Sequence, residues 1–512
     1  MKLSIYLAAA LCGLSSSADN GQAPLVYEQS GSNIKNVAII GAGAGGASSA
    51  YHLAKFAASA GRPVNITVFE RNSYIGGRST TVDAYDDPNY PVELGASIFV
   101  ETNHILFNAT KEFNLSTNAF ITQSDIPGAG LAVWNGEEFV ITQSGGSGWW
   151  DIAKLFWRYG LGPMKTMRLV KEVVGKFLEM YDEPAFPFQS LTQVGQDVGL
   201  LAVTAATGTQ YLEENGITGD FGQEIVQAST RVNYAQNLDY IHGLEAMVSM
   251  AAENAQAVTG GNWQIFASMI QASQATALLE TSVIAIEKTK HGRYQLRFSD
   301  AGTESSADPG SQTFDDVVLA TPYQYSNISL PEELTAPDTI PYVQLHVTLF
   351  TSPHLLSPSF FGQKPDNPAP RVVLTTLPKR EEPASGSEGV GSPGFFSISL
   401  LRQVTNPKSS RPEYLYKIFS AAPPNSTFLH NLLGVEHEDG DEIEESKNRP
   451  ITWCYRKVWN SYPYEFPRVT FERIELGKNL WYTGAMDSFI NGLTTTTEQL
   501  ARLNIPAETE SR

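Results

Sequence analysis

One stretch of the chain reads Val37-Ala38-Ile39-Ile40-Gly41-Ala42-Gly43-Ala44-Gly45-Gly46. Its apolar first part predicts a buried strand, and the residues after the glycines, up to about residue 60, are typical of a helix. Gly41, Gly43 and Gly46 have the G-x-G-x-x-G spacing, in which glycines permit a tight turn and let backbone N–H groups at the start of a helix approach a pyrophosphate. A second strand is predicted over residues 65–69. The stretch therefore predicts a βαβ unit and an α/β fold that binds a dinucleotide.

The residue that ends the second predicted strand is Glu70, 24 positions beyond Gly46. A carboxylate there can accept hydrogen bonds from both ribose hydroxyls and would repel a 2′-phosphate, so NADP is disfavoured. An E-R-x-x-x-x-G-G-R pattern then runs Glu70-Arg71-Asn72-Ser73-Tyr74-Ile75-Gly76-Gly77-Arg78. In it, Gly77 lets the backbone lie against a cofactor and Arg78 offers a forked cation to the pyrophosphate. An ordinary surface turn with a solvated arginine is the alternative.

Length and composition describe a globular protein. The 512 residues, of which 42% are hydrophobic and 17% charged, correspond to two or three domains. Thirty-five Lys plus Arg against 54 Asp plus Glu give a net charge of −19, which repels phosphate backbones. We therefore expect no nucleic acid partner.

The pattern from Glu70 to Arg78 resembles the signature of the flavoprotein group that contains amine oxidases, carotenoid desaturases and Rab GDP-dissociation inhibitors. This resemblance implies FAD as the cofactor, without a metal, in a Rossmann-type FAD-binding domain (glutathione reductase 2-like) with an interleaved α+β substrate domain. It also implies that Arg71, Gly95, Ala96, Val283, Gly484 and Asp487 contact FAD, together with the glycine turn, Glu70, Gly77 and Arg78.

Those contacts come from three further segments of the chain. Glu93-Leu94-Gly95-Ala96-Ser97 resembles the stretch that passes the isoalloxazine ring, and Val283 resembles a valine whose backbone meets the adenine edge. The segment from Asn479 to Asp487 resembles the last strand and turn, which bring a helix start to the flavin N1/O2 side.

We predict discontinuous domains after a signal peptide. The predicted pieces are residues 1–18 for the signal peptide, 33–105, 230–325 and 475–505 for the FAD-binding domain, and 106–229 with 326–474 for the substrate-binding domain.

Short blocks along the chain resemble the prenylcysteine oxidase, or prenylcysteine lyase, family within this flavoprotein group. The blocks are Trp157-Arg158-Tyr159-Gly160, Asn233-Tyr234-Ala235-Gln236, Gly260-Gly261-Asn262-Trp263, Tyr462-Pro463 and Phe466-Pro467. They keep the family order from about residue 35 to about residue 500. Ala235 stands where the family pattern has glycine, and residues 491–497 lack the family's run of small residues.

The family resemblance implies oxidation of a prenylcysteine thioether by O2 to a prenyl aldehyde, free cysteine and H2O2. Loss of hydride from the allylic carbon beside sulfur leaves a delocalised cation, so no strong acid or base is needed and the flavin carries the chemistry. We take Tyr234, Gln236, His242 and Trp263 as candidates for the substrate pocket. The alternative for each is a packed or hydrogen-bonded core residue.

The first 18 residues predict a secretory signal peptide, because Lys2 precedes a short apolar run that ends in Ser16-Ser17-Ala18. A buried helix is the alternative. Cleavage after Ala18 would leave Cys454 as the single cysteine, so no internal disulfide could form. Five Asn-x-Ser/Thr sequons begin at Asn65, Asn108, Asn114, Asn327 and Asn425. We therefore expect a vacuole- or lysosome-like lumen or the exterior.

Residues 149–181 hold six basic residues against three acidic ones, a net charge of +3, with several aromatic residues among them. Such a segment could contact an anionic membrane surface from which an apolar substrate is drawn. A core helix pair with solvated lysines is the alternative. Two other stretches, residues 380–394 and 436–445, have the composition of mobile loops.

Two other functions are consistent with the sequence. One is a related flavin oxidase for another apolar substrate, such as an amine or a secondary metabolite, because one scaffold hosts many chemistries. The other is a prenyl-binding protein without catalysis, although the intact glycine pattern argues against it.

Overall fold

The computed structural model describes residues 34–119, 129–143, 157–251, 254–302, 309–436 and 450–490. In chain order the strands are β1 (Lys35–Ile40), β2 (Val64–Phe69), β3 (Thr81–Asp83), β4 (Pro91–Glu93), β5 (Thr117–Ala119), β6 (Ala129–Trp134), β7 (Phe139–Gln143), β8 (Gln256–Val258), β9 (Thr276–Leu278), β10 (Thr281–Lys288), β11 (Tyr294–Asp300), β12 (Gly310–Phe314), β13 (Asp316–Leu319), β14 (Tyr342–Ser352), β15 (Pro370–Thr375), β16 (Ser397–Thr405), β17 (Pro412–Ser420), β18 (Trp453–Pro463), β19 (Glu475–Gly477) and β20 (Leu480–Tyr482). The helices are α1 (Ala44–Ser59), α2 (His104–Glu112), α3 (Gly162–Glu179), α4 (Leu191–Asp197), α5 (Leu201–Thr204), α6 (Gly208–Glu214), α7 (Gln227–Tyr234), α8 (Gly243–Ser249), α9 (Trp263–Ser273) and α10 (Ser426–Leu433).

A six-stranded sheet carries the predicted strand–turn–helix unit. Its order is β19-β20-β13-β1-β2-β9, and all strands are parallel except β19, which pairs antiparallel with β20. Helices α1 and α9 pack against each other beside it. The register pairs Ile40 with both Phe69 and Leu319, so three strand ends meet where Gly41 leaves β1. Ligands of open α/β sheets bind at such an edge.

The strands of this sheet come from three separate parts of the chain, residues 35–69, 276–319 and 475–482. The antiparallel strands β10, β11 and β12 form a three-stranded sheet inserted between β9 and β13. All of these strands lie within the three stretches predicted for the FAD-binding domain, while the domain boundaries themselves stay a prediction.

A seven-stranded sheet of order β18-β14-β17-β16-β15-β6-β7 forms a second layer and is antiparallel apart from the pair β15 and β6. Alternate residues of a strand point to opposite faces. One face packs Leu345, Val347 and Leu349 against Val92 and Leu94, so it covers the segment predicted to pass the isoalloxazine ring. The other face packs against α10.

Helix α8 is the centre of a small helical layer, because α3, α6 and α7 all pack on it. Its Leu244 and Met247 are fully buried, and α3 contributes Leu169 and Val173 to the same core. Within the described ranges, no helix combines the length and the apolar character that a membrane crossing needs.

The stretch 380–394, expected to be a mobile loop, is instead anchored by the fully buried Arg231. Its guanidinium donates from Nη1 to Gly389 O at 2.7 Å and from Nη2 to Val390 O at 2.8 Å. It also donates to Asn237 Oδ1 at 2.7 Å and to Thr375 Oγ1 at 3.0 Å. The sequence composition is typical of a mobile loop, but a buried donor satisfies carbonyl groups of this loop and holds it in place. Of the stretch 436–445, only residue 436 lies within the described residues.

Candidate active site

The three glycines of the first turn differ in the space that surrounds them. An added Cβ would lie 2.5 Å from Ala320 O at Gly41 and 1.8 Å from Gly41 O at Gly46, so the fold itself requires both glycines. At Gly43 the nearest atom would be Gly77 Cα at 3.7 Å, and the backbone φ is −74°. The protein therefore has room for a side chain at Gly43, and the open space fits a bound group.

Helix α1 begins at this turn without a cap. Within the part of the chain that the structure describes, no side-chain hydrogen bond caps the helix, and its first turn holds no acidic residue. Its amino terminus therefore offers backbone donors and a positive dipole end to an anion such as a pyrophosphate. The second glycine pair lies directly on this turn, because Gly76 N donates to Ala42 O at 3.0 Å and Gly76 forms a parallel bridge with Gly43.

Glu70 is buried beside the turn with one acceptor position left over. Its Oε2 accepts from Ala42 N at 2.8 Å, and its Oε1 accepts from Asn72 N at 2.8 Å and Asn72 Nδ2 at 2.6 Å. A carboxylate offers about four acceptor sites, so Oε2 can take a ribose hydroxyl as well. Val283, 5% exposed, follows closely in β10, since Thr281 N donates to Glu70 O at 2.9 Å. Glu70 and Val283 thus lie together as predicted contacts of one adenosine.

The side chains of the two arginines of the pattern make hydrogen bonds to distant parts of the chain. Arg71 is exposed and donates to Tyr325 O at 3.0 Å. Arg78 donates to Ser461 O at 2.7 Å, and its guanidinium lies 5.9 Å from the centre of the Tyr342 ring. Arg78 therefore contacts β14 and β18, while its predicted contact with the pyrophosphate stays a prediction.

Asp487 lies near Arg78. It is buried in the 3₁₀ turn Thr483–Ser488, which also holds Gly484, and its carboxylate accepts a hydrogen bond from the Tyr342 hydroxyl. Burial raises the pKa of Asp487, while the Arg78 charge opposes that shift. A buried carboxylate, a half-buried arginine and a half-buried phenol thus lie close together where the final strand ends.

The segment from Glu93 to Ser97 is held from two sides. The Asn262 backbone N–H donates to Glu93 Oε1 at 2.5 Å and its side chain donates to Ala96 O at 2.7 Å. From the seven-stranded sheet, Lys417 Nζ donates to Glu93 O at 3.1 Å and to Ser97 Oγ at 2.8 Å. Ala96 keeps a left-handed φ of 49°. At Gly95 an added Cβ would lie 3.1 Å from the Trp459 indole, so a side chain there would press against that ring.

Burial shifts the charges of this segment toward neutrality. It raises the pKa of Glu93 to about 7 and lowers the pKa of Lys417 to about 8, while the attraction between the two groups opposes both shifts. Both pKa values therefore lie closer to pH 7 than those of ordinary carboxylates and ammonium groups.

Three of the four predicted pocket residues lie together. Gln236 donates to Pro463 O at 3.0 Å and accepts from Glu465 N at 3.0 Å. His242 caps α8, because its Nδ1 accepts from Glu245 N at 3.2 Å, and its Nε2 lies 3.3 Å from Glu465 Oε2. Burial lowers the pKa of His242 to about 4. Gln236 and His242 are therefore neutral groups that hold α8 and the Tyr462–Phe466 segment in place.

Tyr234 presents an aromatic surface in the same region. Its ring packs edge-on against Tyr462, with the ring centres 6.1 Å apart, and burial together with the Glu245 charge raises its pKa. Ala235, which follows it, is left-handed with φ 54° at the end of α7. That conformation favours glycine, which explains why the family pattern has glycine there.

Trp263 is separate from this group. It starts α9, its indole donates to Gly260 O at 3.3 Å, and its Cβ would lie 2.9 Å from a Cβ added at Gly76. It therefore supports the glycine-rich segments, while the substrate-pocket role stays a prediction.

Several residues of the site were not predicted from the sequence. Lys417 had a usable signal, since it stands between Leu415 and Phe419 on an alternating apolar face. Glu465 lies between two of the blocks that carry the family resemblance, directly before Phe466. Tyr342 and Ser461 had no local signal, because their contacts with Arg78 and, for Tyr342, with Asp487 join distant parts of the chain. Among the described residues, no group of three or more His, Cys, Asp or Glu side chains could hold a metal ion. The closing segment after residue 490 lies outside the described residues.

Two family models match the chain. The model for prenylcysteine lyase matches residues 142–504, and the model for an NAD(P)-binding Rossmann-like domain matches residues 39–113. Farnesylcysteine lyase of Arabidopsis thaliana is 28% identical over 489 residues, which cover 92% of this chain and 88% of that protein. Prenylcysteine oxidase 1 of Mus musculus is 29% identical over 509 residues, which cover 94% of this chain and 89% of that protein.

Solved structures share the fold at low sequence identity. A putrescine oxidase bound to putrescine superposes with a TM-score of 0.54 at 14% identity, covering 91% of this chain and 98% of that one. A fatty acid isomerase from P. acnes that produces CLA gives a TM-score of 0.55 at 13% identity, covering 91% and 97%. The predicted α/β fold class with a Rossmann-type domain is therefore confirmed. Because the prenylcysteine lyase model spans most of the sequence, the predicted resemblance is confirmed too, and the chain belongs to the prenylcysteine lyase family of flavin-dependent oxidoreductases.

Proposed function

We propose that this protein is an FAD-dependent thioether oxidase that cleaves S-prenylcysteine, with O2 and water, into a prenyl aldehyde, cysteine and H2O2. The observation that carries the proposal is the intact cradle of Gly43 and Glu70 in a chain related to farnesylcysteine lyase over 92% of its length. A protein that only bound prenyl chains would have no use for an uncapped helix start beside a buried carboxylate.

FAD supplies a two-electron acceptor that O2 can reoxidise, which no side chain offers. We assign the pyrophosphate to the amino terminus of α1 at Gly43 and the ribose to Glu70, because both have unused hydrogen-bonding capacity there. The flavin ring is assigned to Gly95 and Asp487, which flank Arg78 from two sides.

The side chains of the site orient the substrate and exclude water. Tyr234 and Tyr462 form an aromatic surface suited to an apolar prenyl chain. His242 is neutral at pH 7 because its pKa is about 4, so it positions α8 and does not act as an acid. This agrees with a reaction in which sulfur and the alkene stabilise the developing positive charge.

The overall reaction balances without a further reactant. A C–H bond and the C–S bond of the carbon beside sulfur break, and water provides the aldehyde oxygen. Sulfur leaves as the thiol of cysteine, and the two electrons and two protons convert O2 into H2O2. A dry, apolar pocket favours this outcome by limiting side reactions.

We also propose that the protein enters the secretory pathway. All five sequon asparagines, Asn65, Asn108, Asn114, Asn327 and Asn425, are exposed, which is compatible with glycosylation. Asn65 lies at the start of β2, and its side chain is at the surface, where it donates to Asn36 Oδ1 at 3.0 Å. Treatment of the secreted protein with an endoglycosidase should increase its gel mobility, and unchanged mobility would contradict glycosylation.

The substrate is proposed to reach the protein from a lipid surface, through the segment predicted at residues 149–181. A prenyl chain partitions into membranes because each buried methylene contributes about 0.8 kcal/mol. Residues 157–181 of this segment are described, and they include the exposed face of α3.

The test of the enzymatic function is an anaerobic titration of purified protein. The protein should be yellow, farnesylcysteine should bleach the flavin, and air should restore the colour with release of H2O2. Bleaching by an amine but not by farnesylcysteine would assign another substrate. A folded protein that stays colourless after incubation with FAD would remove the oxidase proposal altogether.

A further inference from the structure

The surface at the start of α3 carries an unusual density of exposed apolar side chains. Trp157 is 95% exposed, Leu161 61%, Met164 53% and Met167 64%. We call these four residues the apolar patch. Leu161, Met164 and Met167 follow one another at three positions, which places them on one side of the start of α3, and Trp157 precedes them in the chain. A contiguous apolar surface of this kind marks a contact site for a partner or a membrane.

The exposure of Trp157 is built into the fold, because the next two residues are clamped. Arg158 makes two bonds of 2.9 Å to the carboxylate of Glu224, and the Tyr159 hydroxyl donates to the same carboxylate at 2.7 Å. Glu224 is only 4% exposed, and the Tyr159 ring packs edge-on against Phe221. The backbone that carries the indole is therefore held firmly while the indole points to solvent.

The stretch that carries the apolar patch has only positive charges of its own. Residues 157–171 contain no Asp or Glu, and Glu224 pairs with Arg158. Lys165, Arg168 and Lys171 remain as exposed cations beside the patch, in a protein of net charge −19. Exposed Trp and Met next to basic residues fit the boundary between lipid headgroups and acyl chains.

We propose that the apolar patch and its three neighbouring cations dock the protein on an anionic lipid bilayer. The opposite face of α3 packs on α8 through buried residues such as Leu169, and α8 lies next to Tyr234 through Glu245. Docking therefore brings the candidate pocket close to membrane-held substrate. This last step rests on the proposed function, whereas lipid binding itself does not.

The test is cosedimentation with vesicles of phosphatidylcholine, with and without phosphatidylserine, at low and high salt. Arg168→Gln with Lys171→Gln should weaken binding to anionic vesicles about 30-fold, since each cation near such a surface contributes about fivefold. Trp157→Ser with Met164→Ser should weaken it at least about tenfold through lost apolar burial. Val469→Ser, at a site 49% exposed elsewhere, is the matched control and should bind like wild type.

Melting temperature and flavin content should stay unchanged in all three variants, because the substituted side chains are exposed. The variant of the cations and the variant of the apolar patch should both turn over vesicle-held farnesylcysteine more slowly than wild type. Both should turn over detergent-dispersed farnesylcysteine at the wild-type rate. The docking proposal would be overturned if wild-type protein did not bind anionic vesicles. It would also be overturned if either double variant bound them like wild type. A dimer in solution that Trp157→Ser dissociates would overturn it too, because a second copy would then cover the patch. Vesicle binding without any turnover of farnesylcysteine would contradict the proposed function and leave the docking proposal supported.

Discussion

The substitution Gly43→Ala should lower the affinity for FAD much more than the stability of the protein. The new methyl group would lie 3.7 Å from its nearest neighbour, Gly77 Cα, which is ordinary van der Waals contact. The backbone at Gly43, with φ −74° and ψ −169°, suits any residue. The free energy of unfolding of the apoprotein should therefore fall by no more than about 1 kcal/mol.

Gly43 is also the N-cap of α1, where alanine costs about 0.5–1 kcal/mol relative to glycine. The same methyl group would stand in front of the amino terminus of α1, where we assign the pyrophosphate. Hydrogen bonds between backbone N–H groups and a charged acceptor contribute about 1.5–3 kcal/mol each. Each bond lost would weaken FAD binding by about tenfold to a hundredfold. Gly46→Ala should behave differently, because its methyl group would lie 1.8 Å from Gly41 O and the strand–turn–helix unit could not close.

The assay has two arms on apoprotein freed of flavin. Thermal unfolding without FAD measures stability, and quenching of flavin fluorescence during titration measures affinity. Gly175→Ala is the control, since this helical glycine of α3 has no neighbour within 4 Å of its Cβ position. It should stabilise α3 by up to about 1 kcal/mol and leave FAD affinity unchanged. If Gly43→Ala binds FAD as tightly as wild type, or unfolds as readily as Gly46→Ala, the assignment of the cradle is wrong.

Three further outcomes are expected. Glu70→Gln should lower FAD affinity about tenfold in the same titration, because either orientation of the amide sets an NH2 group against a backbone N–H donor; equal affinity would contradict the ribose assignment. Arg231→Met should cost about 3–5 kcal/mol in urea unfolding, since Asn237 Oδ1 and Val390 O lose their donor, and Arg231→Lys should not restore the loss because it lacks the planar fork. Burial raises the pKa of Glu93 from 4.5 to about 7, so the folded state binds the proton more tightly and stability should fall as pH rises from about 4.5 to 7. Glu93→Gln should flatten that slope in unfolding measured across pH, and an unchanged slope would place its origin elsewhere.

Local spacing predicted the strand, turn and helix that carry the cofactor prediction, because these parts are close in sequence. Gly41, Gly43, Gly46 and Glu70 lie within 30 residues, and strand, turn and helix leave a short-range pattern. The fold class follows from that pattern, because a parallel strand pair with a crossover helix has few arrangements.

Contacts between distant parts of the chain could not be predicted in this way. The direction of Arg78 depends on Tyr342 and Ser461, which belong to strands more than 260 positions later. The bond of Lys417 to Ser97 spans 320 positions. Side-chain direction at such places is set by which strands the sheets bring together, and single-sequence periodicity carries no information on that choice.

The order of the six-stranded sheet has a consequence for how the protein is made. Strand β1 is paired with β2 early, but its other neighbour, β13, and the next strand, β20, come from much later in the chain, and β20 begins 440 positions after β1 ends. At ribosomal rates of about 5–20 residues per second, this side of the sheet stays incomplete for roughly 20–90 s after β1 is made. An unpaired apolar edge of this kind is open to wrong pairing. We therefore expect the nascent chain to depend on chaperones while it is translated, and the flavin to be incorporated only after release from the ribosome.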